Sequence, residues 1–267
     1  MPLLAIALPL AACQHVAPAR VDSPTEAWLL GETHDNAEGH RLRAELLRQR
    51  IEAGWRPAIA MEQFDTGQQA ALDAAMRECA DAGCVVARVA PAQSGWSWDY
   101  YKPVIALALH YKLPLLAANL SRADASKVVK EGFAAALAPE LVARYALQAL
   151  PAPLLAAQEA EVRGGHCGML PGPMLAPMAR AQIARDVMMA QTLRTHAARG
   201  VVLIAGNGHV RNDIAVPYWL QRDGLASRAE GFLEPNADAT GFDAVHRIPA
   251  ATRPDPCAGF QAPKAAS

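Results

Sequence analysis

Val201-Val202-Leu203-Ile204-Ala205-Gly206-Asn207-Gly208-His209 decides the fold. Five consecutive apolar residues, β-branched at the start, read as a strand buried on both faces, which is the pattern of a parallel sheet. The run then ends abruptly in glycine, asparagine and histidine. Glycine there lets the backbone turn sharply and come close to a ligand. The same pattern stands near the amino end: Ala27-Trp28-Leu29-Leu30 is a short apolar run that passes into Gly31-Glu32-Thr33-His34. Both read G-x-x-H after a strand.

Working outward, Ala58-Ile59-Ala60-Met61 is a further strand ending in Glu62, and Leu115 to Ala118 is another ending in Asn119, with Arg122 just beyond. Strands are also expected near Ser227 to Leu233 and Ala244 to Ile248. Helical spacing separates them. Asp35 and Glu38 resemble a capping box for a helix running to about Ala53, with Leu42, Leu46, Leu47 and Ile51 inward and Gly54 as the stop. Thr66 opens a helix to about Cys79. Others span Tyr101 to Tyr111, Arg122 to Ala136, Pro139 to Leu150, Pro177 to Arg199 and Pro217 to Arg222. Pro151 to Pro173, interrupted by Gly and Pro, is expected to be broken and to wrap the site. Strands alternating with helices predict an α/β fold, a mostly parallel central sheet with helices on both faces. No linker or shift of composition divides the chain, so a single domain is expected over 27–250, with a signal and tether over 1–26 and a tail over 251–267.

In an open α/β sheet, ligands bind outside the carboxyl ends of the strands. Four strands here deliver polar residues to that edge: Glu32 and His34, Glu62, Asn119 and Arg122, Asn207 and His209. Histidine there can offer a neutral nitrogen to a metal or move protons near neutral pH. Glu62, next to an apolar run, needs a partner if buried: Arg122, a histidine or a metal. A structural ion pair is the plainer account of it. His40 shares a helix stripe with Ala44, Leu47 and Ile51, either closing the site or resting at the edge of the core. Gln182, Arg185, Asp186 and Met189 share one helix face, and Arg185 with Asp186 completes a charged pocket if that face meets the sheet edge rather than solvent. His166, in Gly165-His166-Cys167-Gly168, is placed to cover the site. A divalent metal on His34, His209 and His40, with Glu32 or Glu62 as base and Arg122 or Arg185 steadying negative charge, would make a hydrolase of esters or peptides.

The chain has 267 residues, 52% hydrophobic, with 25 basic and 26 acidic residues and a formal net charge of −1. This suits one sizeable core and offers no clustered basic face for nucleic acid. No apolar run reaches the roughly 18 residues that span a bilayer. The first thirteen residues, MPLLAIALPLAAC, have an apolar stretch from Leu3 to Leu10 and then Leu10-Ala11-Ala12-Cys13, a lipoprotein signal cut before a lipid-bearing Cys13. No Lys or Arg precedes the stretch, so the basic flank of such a signal is missing. His15 to Arg20 reads as a tether. Gln14 follows the cysteine, and the absence of Asp there points to the outer membrane. With Cys13 assigned to lipid, four cysteines remain for disulfides in an oxidising compartment: Cys79, Cys84, Cys167 and Cys257. Three pairings are open. A local bridge between Cys79 and Cys84 is plausible, and a bond between Cys167 and Cys257 would pin the tail. Without a C-x-x-C pair or C-x-x-C-H, a zinc ribbon and covalent c-type haem are excluded.

Several blocks, in order, resemble the ChaN-like haem-binding lipoproteins within the Tiki superfamily. They are Leu30-Gly31-Glu32-Thr33-His34-Asp35-Asn36 with His40; Ala60-Met61-Glu62-Gln63-Phe64-Asp65 with Gln69; Trp98 with Tyr101 and Pro103; Ala118-Asn119-Leu120; Ala181-Gln182 with Arg185-Asp186 and Met189-Ala190; and Ala205-Gly206-Asn207-Gly208-His209-Val210-Arg211 with Val216-Pro217. The resemblance implies an α/β fold, an outer-membrane lipoprotein facing the periplasm or the cell surface, and a role in haem or iron uptake. It also implies haem held between two subunits, hence a homodimer, on a tyrosine. Of the five tyrosines, Tyr100, Tyr101, Tyr111, Tyr145 and Tyr218, none matches by motif, and Tyr145 is preferred. The wider superfamily implies instead a divalent-metal site built from His34, His209, Glu32 and Glu62.

Overall fold

The computed structural model describes residues 27–90, 95–255 and 257–258. Cys13 and the rest of the expected signal and tether lie outside them. Six strands form one sheet: β1 (Ala27–Leu30), β2 (Ala58–Asp65), β3 (Leu115–Asn119), β4 (Val201–Ile204), β5 (Ser227–Leu233) and β6 (Ala244–Arg247). Their order across the sheet is β3-β2-β4-β1-β5-β6. Every neighbouring pair is parallel, so all carboxyl ends meet one edge. β1 and β4 lie side by side, with Leu30 opposite Ile204, which brings the two G-x-x-H segments together.

Nine α-helices are present among the described residues: α1 (Ala37–Glu52), α2 (Gln69–Glu78), α3 (Ala82–Val89), α4 (Lys102–His110), α5 (Arg122–Glu131), α6 (Pro139–Arg144), α7 (Ala152–Gly165), α8 (Gly172–His196) and α9 (Val216–Arg222). Strand side chains alternate between two cores. Trp28, Leu30, Ile59, Met61, Val202 and Ile204 pack with α1 to α4. Ala27, Leu29, Ala60, Val201 and Leu203 pack with α5, α6, α8 and α9. The sheet is thus covered on both faces, which is why its strands carry continuous apolar runs.

Three local expectations are corrected. The cap of α1 is Asn36, whose side chain accepts from the Gly39 amide at 2.9 Å; Asp35 stands outside the helix. Asn36 also donates to Glu234 at 2.8 Å and to the Pro249 carbonyl at 2.7 Å, so the cap ties the loop to the carboxyl-terminal segment. Residues 152–165 are not a broken loop but the regular helix α7, with Pro153 in its first turn, where no amide partner is lost. The long helix begins at Gly172 and carries Pro177 inside it. The helix α3 was not anticipated; Asp81 caps it by accepting from the Cys84 amide at 2.8 Å.

α8 leads into β4 and therefore runs from the carboxyl edge back along the sheet. Its first turns and the end of α7 project past that edge and bury a small core of their own, Val162, Leu175 and Ala179. Two disulfides are formed. Cys79–Cys84 joins α2 to α3, and Cys167–Cys257 ties the α7–α8 turn to the tail.

Candidate functional site

β1 turns at Gly31 because no side chain fits there. A Cβ would stand 2.2 Å from Asn207 Oδ1. Asn207 uses that oxygen to accept from the Phe232 amide at 3.0 Å and donates to the Phe232 carbonyl at 2.8 Å, stitching the ends of β1, β4 and β5 together. Past this turn, residues alternate across the sheet plane and build two polar clusters.

The first lies on the α1–α4 side. Glu32 is 3% exposed and central to it. One carboxylate oxygen accepts from Tyr101 Oη at 2.5 Å, from His34 Nδ1 at 2.8 Å and from Gln63 Nε2 at 3.4 Å. The other accepts from the guanidinium of Arg43, which is fully buried. Burial alone would raise the Glu32 carboxyl; Arg43, together with His34 and His40, outweighs it and holds the group well below the usual carboxylate range. His40 closes the back of the cluster. Its Nε2 donates to the His34 carbonyl at 3.0 Å, and its Nδ1 accepts from Arg43 at 2.9 Å. Burial and the Arg43 charge push its pKa down to about 4, so it is neutral at neutral pH. His40 is therefore a buried support at 2% exposure, with both ring nitrogens engaged. Around it stand Tyr100, stacked with ring centroids 4.9 Å apart, and Trp96, edge-on to His34 at 5.0 Å.

The second cluster lies on the α8 side. Asp186 accepts from His209 Nδ1 at 2.6 Å, and His209 Nε2 stands 3.5 Å from Glu62. The other Glu62 oxygen accepts from the Gly206 amide at 2.8 Å. Gln158 on α7 supports Asp186 at 3.3 Å and donates to the Ile214 carbonyl at 2.9 Å. Burial would lower His209, but Glu62 and Asp186 overcome it and push its pKa up to about 9. Burial dominates at Asp186 and lifts it to about 6. At neutral pH the pair is an ion pair, with the proton on His209.

Gly206 joins the two clusters. A Cβ built there meets the His34 ring at 3.0 and 3.1 Å and Glu62 at 3.7 Å, so the His34 Nε2 edge and the Glu62 carboxylate face one glycine. Burial works to lower His34; its bond to Glu32 and the charge of Glu62 prevail and raise it. Above lies a cavity of about 710 Å³, walled by Gln158, Glu161 and His166 of the α7 segment, Gln182 and Asp186 of α8, and Arg253 of the tail. That volume is in the range of small-molecule and cofactor sites.

Glu32, His34, Glu62, Asp186 and His209 are thus gathered at one rim. Arg185 sits beside it and ties down the end of β3, donating to Asn119 Oδ1 at 2.8 Å and to the Leu120 carbonyl at 2.9 Å. Arg122 is exposed at the start of α5, and His209 rather than Arg122 accompanies Glu62. Tyr145 is elsewhere. It is buried, bonded to Asp223 and edge-on to Trp219 at 5.5 Å. Among the described residues no group of three or more His, Cys, Asp or Glu side chains is placed to hold a metal ion. Arg43 and Gln158 escaped the sequence reading. Arg43 had a signal, since it lies three residues after His40 on a helix whose buried stripe should be apolar.

No curated protein matches the chain. Among solved structures it is similar to ChaN of Campylobacter jejuni, in a structure of cofacial haem binding, with 19% identity, a TM-score of 0.69, and 82% of this chain and 86% of that chain covered. It is also similar to an erythromycin esterase mutant in its open conformation, at 15% identity and a TM-score of 0.46, covering 78% of this chain and 70% of that one. A third is the type III effector HopBA1, at 13% identity and a TM-score of 0.47, covering 85% and 88%. At 19% identity the likeness to ChaN is one of fold. A family model, haem-binding uptake, Tiki superfamily, ChaN, matches residues 24–220. Given that span and the geometry along it, the chain belongs to the ChaN family of haem-binding uptake proteins.

Proposed function

We propose that this protein binds haem in haem or iron uptake, as a lipoprotein held at the outer membrane by a lipid on Cys13. Membership of a haem-binding family over residues 24–220 is the observation that carries this reading. The donor chemistry of the strand-edge cavity is compatible with it. Haem iron takes His, Tyr, Met or Cys thiolate. Four of the five cysteines are held in disulfides, which removes their thiolates. Tyr145 turns its phenol into the core, and no tyrosine lines the cavity. Histidine is the donor that the cavity offers, from His34, His166 and His209. Titration of the purified, untagged protein with hemin should give a saturable Soret change at about one haem per chain, and sedimentation with and without hemin tests pairing of two chains. Flat difference spectra would overturn the reading. For the anchor, Cys13→Ser should move the protein from the membrane to the soluble fraction.

One observation favours a second reading, a divalent-metal-dependent hydrolase of esters or peptides. His34 and His209 each have Nδ1 fixed by a carboxylate, at 2.8 and 2.6 Å, as second-sphere carboxylates fix metal-binding histidines. Their Nε2 edges lie beside Glu62. Elemental analysis should then find a divalent metal that is lost in His34→Ala and His209→Ala. Equal metal content in all three proteins dismisses this reading.

A further inference from the structure

We propose that the sheet edge opposite the cavity is a membrane-docking face. Its exposed cations lie on the phosphates of an anionic phospholipid bilayer, beside the point where the anchored chain enters the domain, and the cavity is turned away from that bilayer. This rests on the lipid anchor proposed above.

In a parallel sheet the amino ends of the strands share one edge, as the carboxyl ends share the other. Four starts are level here: Ala27 lies opposite Val201, Val201 opposite Ala58, and Ile59 opposite Leu115. A cation precedes three of them. Arg199 stands two residues before β4, Arg56 two before β2 and Lys112 three before β3. Neighbouring strands are about 4.8 Å apart, so these starts fall within about 15 Å of Ala27, where the chain arrives from Cys13. The three cations are exposed and form one group. Arg199 donates to the Arg56 carbonyl at 3.3 Å, and the Arg56 guanidinium lies over the Tyr111 ring, 5.2 Å from its centroid, next to Lys112 in the chain. Arg77 and His110 extend the group, sharing with Lys112 a cavity of about 830 Å³.

Two plainer accounts fall short. Helix carboxyl ends attract cations, which explains Arg77 and His110 in the last turns of α2 and α4. It does not explain Arg56, Lys112 and Arg199, which lie outside the α-helices. Lys112 even has a φ of +52°, where glycine is least strained. Local pairing is not the reason either. Among the described residues no carboxylate forms an ion pair with Arg56, Arg77, Lys112 or Arg199, and the acids nearby are engaged elsewhere. Glu52 pairs with Arg48 at 2.5 Å, Glu78 pairs with Arg88, and Asp81, the one acid lining that cavity, caps α3.

The formal net charge of −1 conceals this face, because the fold sorts the charges: Glu32, Asp35, Glu161 and Asp186 line the cavity at the other edge. An anionic surface therefore attracts one edge and repels the other. The thirteen residues between Cys13 and Ala27 reach roughly 50 Å at full stretch, enough to let any side of the domain meet the membrane. Charge, rather than the length of the tether, selects the side.

The test is sedimentation of the full chain carrying Cys13→Ser, so that no acyl chain contributes, with lipid vesicles. Phosphatidylcholine vesicles measure what the apolar leader contributes. Vesicles of equal parts phosphatidylcholine and phosphatidylglycerol should bind at least ten-fold more tightly, and the gain should shrink as salt is added. Arg77→Gln with Lys112→Gly, which break no bond of the fold, should weaken that gain roughly five-fold for each cation removed, and Arg56→Gln with Arg199→Gln likewise. Arg41→Gln with Lys102→Gln, at the opposite ends of α1 and α4, should leave it unchanged. Equal binding to both vesicles, unchanged binding in the two amino-edge pairs, or an equal loss in the Arg41 and Lys102 pair overturns the proposal and leaves the anchor standing. Tighter binding to duplex DNA than to the anionic vesicles overturns it as well, giving the face to a soluble polyanion. A wild-type chain whose mass shows no acyl group on Cys13 overturns the anchor, and the orientation with it.

Discussion

Asp186, in the middle of a 25-residue helix, holds Nδ1 of His209, at the tip of a strand, over 2.6 Å. The bond is made in a place that water barely reaches, and a second carboxylate, Glu62, lies 3.5 Å from the other ring nitrogen. Two carboxylates on either side of one imidazole favour its protonated form. Removing Asp186 leaves Glu62 to hold the proton alone. Asp186→Ala should cost about 3 kcal/mol, typical of breaking a buried charge pair. Asp186→Asn, which keeps an acceptor oxygen, should cost less. In both variants the His209 titration followed by NMR should move down from about 9. An unmoved titration would show that the pair does not set the charge of His209.

Stability should peak near neutral pH, because two histidines are shifted in opposite directions. His209 is raised from 6.5 to about 9, so its contribution is complete below about 6.5 and is lost as pH rises through about 9. His40 is lowered from 6.5 to about 4, so its contribution is complete above about 6.5 and is lost as pH falls through about 4. Glu32, lowered from 4.5, adds to the acid limb below that value. Asp186, raised from 3.8 to about 6, opposes the acid limb between those values. Urea midpoints measured from pH 4 to 10 should trace a dome. His209→Gln should flatten its alkaline side, and an alkaline limb that survives the substitution contradicts the assignment.

Arg43 should be among the least replaceable residues of the chain. It is fully buried, and one of its few partners is a carboxylate that is itself 3% exposed. Arg43→Met leaves Glu32 charged and dry, a loss on the order of 3–5 kcal/mol. The double change Arg43→Met with Glu32→Gln removes both charges and should recover part of that loss. A double-mutant cycle in denaturant measures it. Simple additivity of the two single changes would mean that the pair is uncoupled.

Why the sheet was legible and the site only half so follows from these same residues. Parallel strands must be apolar on both faces, and Val201–Ile204 and Ala27–Leu30 announce themselves by that alone. The rim was legible because a parallel sheet sends every strand end to one edge. The supporting groups were not. Arg43 and Gln158 sit on helices whose polar residues mostly face solvent, and the place of Arg43 three residues after His40 was the one sign that it turns inward. Arg122 was misjudged: it follows β3 closely but opens a helix that turns it outward. The helix α7 was hidden by its end, where Gly164 and Gly165 suggested a break that the chain makes only after the last turn.

The two disulfides should differ in weight. Cys167 and Cys257 are 90 residues apart, Cys79 and Cys84 five. If a bond acts by restricting the unfolded chain, closing the long loop contributes roughly 4–5 kcal/mol and the short loop roughly 2 kcal/mol. The serine double variant of the long pair should therefore lower the melting temperature more than that of the short pair. A reversed order would mean that the tail is held chiefly by Arg253 and Asn36.

Gly31→Ala tests the junction between the strand ends. A methyl group there would lie 2.2 Å from Asn207 Oδ1, a contact that nothing flexible can relieve, because Asn207 is bonded to both the amide and the carbonyl of Phe232. Either Asn207 rotates and two bonds across the sheet are lost, or β1 shifts against β4. Each route costs about 2–4 kcal/mol, from overpacking together with broken buried hydrogen bonds. Gly206→Ala is the instructive comparison. Its methyl group would meet the half-exposed ring of His34 at 3.0 Å, and a ring with one face to solvent can move aside. It should therefore cost less stability while displacing His34 from Glu62. Thermal melts and the His34 titration measured on the two variants separate these effects. Equal destabilisation with an undisturbed His34 would show that Gly206 is not the hinge between the two polar clusters.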